Sequence, residues 1–180
     1  MDGYRDVCAR ALERFGQDGN SYTSNTVAWI CVLAPDAVAE FRQPLQLAEK
    51  AVASNPTGSD KYAYLNTLGG ALYRAGQSEA AVQRLGEAIT AHGKDGTAGD
   101  WLFLAMAHHR LGQADEARRW LDKAAKSIDE SIPPPPPNAA AGSPPKPQVA
   151  DTTLSWRERL ELQLLRREAE ELIKSSDTQP

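Results

Sequence analysis

Long apolar runs are missing from this chain. No stretch approaches the ~18 residues that a membrane-spanning helix requires, so no segment is expected to cross a bilayer. Cysteine is scarce: Cys8 and Cys31 are too few for a disulfide framework and read as small buried apolar residues, although they could pair in an oxidising compartment. Charge of one sign never accumulates. The net charge is −4 with a pI near 5.4, and there is no block of five or more like charges, which argues against nucleic acid as a partner. The opening residues Met1-Asp2-Gly3-Tyr4-Arg5-Asp6 lack an apolar signal core, so the expectation is a soluble, cytoplasmic chain.

Catalytic signatures are missing as well. The glycine-containing stretch 93–99 has no strand before it, and a kinase would also need a strand lysine and metal-binding aspartates in context. No Ser-His-Asp order sits in a strand-turn-helix setting. His108 and His109 are adjacent, and adjacent residues on a helix point about 100° apart, so they do not converge on one ion. The chain is therefore expected not to be an enzyme and to need no cofactor or metal.

What is present is helical and repetitive. Hydrophobic residues make up 41%, enough for a core. The run Leu68-Gly69-Gly70-Ala71-Leu72-Tyr73-Arg74-Ala75-Gly76-Gln77-Ser78-Glu79-Ala80-Ala81 aligns without gaps on Leu104-Ala105-Met106-Ala107-His108-His109-Arg110-Leu111-Gly112-Gln113-Ala114-Asp115-Glu116-Ala117. Gly76 and Gly112 are 36 residues apart, as are Ala81 and Ala117, Leu85 and Leu121, and Ala88 and Ala124. A fainter copy has its second helix at 44–54, with Ala51 37 residues before Ala88, and closes at Asn55-Pro56. Two helices per unit at this spacing come close to a tetratricopeptide period of about 34. Gly69, Ala105, Ala81 and Ala117 would let paired helices approach closely. Gly76 and Gly112 would end the first helices in the left-handed conformation. Leu65, Leu68, Leu72 and Leu85, then Trp101, Leu104, Leu121 and Ala124, would fill the space between.

The flanks divide differently. Residues 4–15 read as a helix with Val7, Ala11, Leu12 and Phe15 on one face, followed by a turn at 16–20. Residues 25–33 read as a second helix, with Val27, Ile30, Cys31 and Ala34 on one side and Trp29 between, interrupted at Pro35; 34–43 reads as turn and loop. Residues 132–150 hold Pro133 to Pro137, Pro144, Pro145 and Pro147, a composition that favours an extended linker over a helical core. A capping box at Ser155-Trp156-Arg157-Glu158 then opens a helix whose apolar stripe is Trp156, Leu160, Leu164, Leu165, Ala169, Leu172 and Ile173. Such a stripe needs a partner, and the exposed end of the last repeat is the expected one.

The segments 101–112 and 117–121 resemble tetratricopeptide repeats, and together with 25–35 and 159–170 they are similar to the C-terminal repeat region of planctomycete-type bacterial serine/threonine kinases and beta-propeller proteins. The likeness covers nearly everything except the proline tract. The repeats and flanks together predict an all-α, right-handed α-solenoid of about three helix pairs: an N-terminal helix at 4–16, a degenerate repeat at 25–56, repeats at 62–95 and 98–131, a linker at 132–150 and a capping helix at 151–176. The likeness implies a bacterial scaffold beside a signalling domain, a kinase domain among the possibilities. Pro56 is the repeat proline, whereas Gly93 and Asp129 replace it later, implying longer connections.

The groove face of the first helices would present Asn66, Gly70, Tyr73 and Arg74, then Leu102, Met106, His109 and Arg110. Only Asn66, Arg74 and Arg110 suit carboxylates, which argues against a clamp for C-terminal tails. The expected peptide-binding residues are Asn66, Tyr73, Arg74, Met106, His109 and Arg110: aromatic and sulfur surface for apolar anchors, arginine for acidic groups. The alternatives are a structural or self-associating module that packs on a neighbouring domain, and the regulatory region of a kinase.

Overall fold

The computed structural model describes residues 2–17, 20–131 and 154–176, so the linker expectation for 132–150 lies outside the described residues. Among them the chain is all-α, with no strand: α1 (Asp2–Phe15), α2 (Ser21–Val32), α3 (Arg42–Ala53), α4 (Gly58–Arg74), α5 (Ser78–His92), α6 (Ala98–Arg110), α7 (Ala114–Ser131) and α8 (Trp156–Ser176).

Local chemistry sets the boundaries. α2 starts before the apolar run at 25 because the Asn20 side chain accepts the N–H groups of Tyr22 (2.8 Å) and Thr23 (3.4 Å). It ends at Val32, ahead of Pro35. α3 tolerates Pro44 in its first turn and stops before Asn55, which takes φ 55°, and Pro56.

The repeat is visible in the turns. At the end of α4, Gly76 takes φ 80°, its N–H bonds to the Tyr73 carbonyl (3.0 Å), and the Gln77 N–H reaches the Leu72 carbonyl (2.9 Å). At the end of α6, Gly112 takes φ 72°, its N–H bonds to the His109 carbonyl (3.0 Å), and the Gln113 N–H reaches the His108 carbonyl (3.0 Å). Both are Schellman closures, the left-handed position the glycines were expected to supply.

α2 with α3, α4 with α5, and α6 with α7 pack as consecutive pairs, and the second helix of each pair also touches the first helix of the next. The first helices touch one another in turn, α2 to α4 to α6, and form an inner layer. α4 is buried continuously from Tyr64 to Arg74 and α6 from Ala98 to Ala107, so each is covered nearly all round. Ala81, Leu85, Ala88, Ala117, Leu121 and Ala124 are buried at matching positions of α5 and α7. Small residues permit the approach: a Cβ on Gly69 would lie 2.6 Å from Leu85 Cγ, and one on Gly70 would lie 3.1 Å from the Phe103 ring and 3.3 Å from Val32.

Two sequence expectations are corrected at the ends. α1 buries Cys8 and half-buries Tyr4 and Leu12, whereas Val7 and Phe15 of the expected face are 56% and 38% exposed. The reason is that the Tyr4 hydroxyl donates to the Ile30 carbonyl and Cys8 joins Cys31 and Ala37 in a small cluster of their own. In α8 the capping box forms: Ser155 N–H donates to Glu158 (2.7 Å) and Glu158 N–H donates to Ser155 Oγ (3.2 Å). Trp156 was expected in the core but is 78% exposed, because α8 docks through Leu165, Ala169 and Ile173 in later turns.

Candidate interaction face

The inner layer carries the candidate residues, and α8 already lies against it. α8 packs on α6 and α7, and its side chains also reach Arg74 of α4 and Trp29 of α2. The contact with α4 centres on Arg74. Its side chain is only 1% exposed, and its guanidinium grips the Glu168 carboxylate with both terminal nitrogens, the Nη2–Oε2 distance being 2.6 Å. Arg74 Nε donates to the Val32 carbonyl (2.7 Å), and the guanidinium carbon lies 5.4 Å and 5.8 Å from the Tyr73 and Phe103 ring centres. A planar fork bonded on both sides and flanked by aromatic rings is a specific carboxylate receptor.

The contact with α2 centres on Trp29. Its Nε1–H donates to Glu161 Oε2 (3.2 Å), and its ring meets Phe103 edge-on at 6.4 Å. Burial pushes the Glu161 carboxyl above the usual carboxylate range; the Trp29 hydrogen bond and the Arg157 charge oppose this. On the far side, Arg166 bridges Asp129 of α7 (2.6 Å) and Glu170 of α8 (2.8 Å). Between the first half of α8 and the inner layer lies a cavity of about 470 Å³, whose lining includes Trp29, Tyr62, His92, Trp101, Glu158 and Glu161. Among the described residues no lysine or arginine lines it, so its chemistry suits apolar or cationic groups.

The six expected residues do not form one exposed site. Tyr73, Arg74 and Arg110 come together: Arg110 donates to the Tyr73 carbonyl (2.8 Å), and its guanidinium carbon lies 4.0 Å from the Tyr73 ring centre. Tyr73 and Met106 are wholly buried, and burial pushes the Tyr73 phenol up. His109 is half-buried and Arg110 exposed. Asn66 serves the scaffold instead: its amide donates to Asp100 (2.6 Å), which also accepts from Thr97 N (2.8 Å) and the Tyr62 hydroxyl (3.1 Å). The residues not anticipated are Glu168, Glu161 and Asp100. An arginine directly after the apolar run 71–73 signals at most that a partner is needed, and does not point to Glu168.

Among the described residues no group of His, Cys, Asp and Glu is arranged to hold a metal ion, and no helix is long and apolar enough to cross a membrane. Comparison with family models, curated proteins and solved structures finds no match.

Proposed function

We propose that this chain is a non-catalytic protein-interaction scaffold, a tetratricopeptide-like α-solenoid of three helix pairs that holds a polypeptide against its inner layer. The observation that carries this reading is α8 itself: a helix packs on α6 and α7, with its Glu168 carboxylate gripped by Arg74 of α4. The repeated Schellman closures at Gly76 and Gly112 support the repeat character. The likeness to repeat regions of bacterial kinases supports a place beside a signalling domain.

The test is photo-crosslinking in native lysate from His109, with the exposed Gln83 on α5 as control. A defined polypeptide recovered from His109 and not from Gln83 is the expected outcome; equal background from both positions removes the reading. A structural module is the second reading, favoured by the complete burial of Tyr73 and Met106 in the folded chain.

A further inference from the structure

We infer that α8 occupies the scaffold's partner seat, and that the partner this seat fits is an amphipathic helix repeating the α8 pattern: a leucine, an acidic residue three positions on, a small residue beside it, and a β-branched aliphatic four positions later. This rests on the scaffold reading and names the ligand class for its inner face.

Each element of the pattern has a visible cause. Leu165, Ala169 and Ile173 are the buried residues of α8 and share one face at helical spacing. Glu168 lies beside Ala169 and meets the fork of Arg74, whose Nε donates to the Val32 carbonyl. A helix without that acid would leave a buried guanidinium unpaired. A bulkier residue in place of Ala169, which is fully buried, would be overpacked.

Two features make α8 a replaceable occupant. It uses only part of its stripe, for Trp156 and Leu160 stay exposed. It is joined to α7 only through residues 132–153, a length of chain that makes its docking an intramolecular event with a high effective concentration. An external helix must therefore compete with a tethered copy of its own pattern.

The experiment uses the full chain with a specific protease site placed within 132–153 and a fluorescent peptide of residues 154–176 as probe. Before cutting, the peptide should bind poorly. After cutting it should exchange with α8 and bind at least about a hundredfold better. A Glu168→Gln peptide should bind roughly thirtyfold or more weakly than the native one, whereas an Arg167→Gln peptide should match it, since Arg167 and its partner Glu171 are both largely exposed. Circular dichroism follows the cut chain throughout. Absence of exchange, equal binding of the Glu168→Gln peptide, or collapse of helicity once α8 is diluted away would each overturn the proposal. The crosslinking result from His109 would be untouched by that failure, because a scaffold can hold a partner beside a permanent α8.

Discussion

Gly69 and Gly86 both lie inside helices, and the same substitution should act on them in opposite directions. A methyl at Gly69 would meet Leu85, itself fully buried, at 2.6–2.7 Å; at the exposed Gly86 nothing lies within 4 Å. Alanine favours a helix over glycine by about 1 kcal/mol, while overpacking a core costs about 1–3 kcal/mol. Gly86→Ala should therefore raise stability by about 0.5–1 kcal/mol and Gly69→Ala should lower it by about 1 kcal/mol, read from urea unfolding midpoints. Asp100 is a harsher case. It is fully buried, closes the capping box of α6 and holds Asn66 and Tyr62. Asp100→Ala removes a cap and strands the buried Asn66 amide, while Tyr62 keeps Thr97 as a partner, so a loss of about 2–3 kcal/mol is expected in the same assay. Of these residues Gly69 was legible, because another small residue, Ala105, stands at the repeat spacing of 36. Asp100 was not, because its importance comes from Asn66 and Tyr62 on another helix.

α8 carries carboxylates whose environments pull in opposite directions. Ser155 hydrogen bonds hold Glu158 below the usual carboxylate range, and the Arg166 hydrogen bond does the same for Glu170. Their contribution is present above the unfolded carboxylate pKa of about 4.3 and is lost as pH falls through the lower folded values. Glu161, raised by burial, behaves oppositely: whatever favours its protonated form is fully present below the unfolded pKa and is lost as pH rises through the folded one. Glu161→Gln should thus raise the unfolding midpoint at pH 7, an advantage that disappears near pH 4; a gain independent of pH would contradict the assignment. Ser155→Ala should cost α8 about 1 kcal/mol of protection in hydrogen exchange. The α8 helix was legible from its cap and stripe. Its seat was not, since Glu168 meets a residue 94 positions away and Glu161 one 132 positions away, distances over which local pattern carries no information. α4 and α6 show little amphipathic period because they are covered nearly all round, and their glycine and alanine alignment revealed them instead. On α1 the face was misjudged by one position because Cys8 outranks Val7 once Cys31 lies opposite.

Across the molecule, cohesion is uneven. α1 rests chiefly on α2 through the small Cys8–Cys31–Ala37 cluster, whereas α4 touches α2, α3, α5 and α6. Hydrogen exchange should accordingly find α1 opening first and α4 and α6 last; comparable protection in α1 and α4 would mean that the chain opens as one cooperative unit. Gly70 connects this scale to the smallest one. Val32 of α2 and Phe103 of α6 both reach the spot where its side chain would have been, so the gauge between the first and third helix pairs is set by missing atoms. A single extra carbon there acts as a shim. It would spread the rails on which Trp29 and Arg74 ride, misaligning them with Glu161 and Glu168, and so slacken the hold on α8 from one helical turn before Arg74.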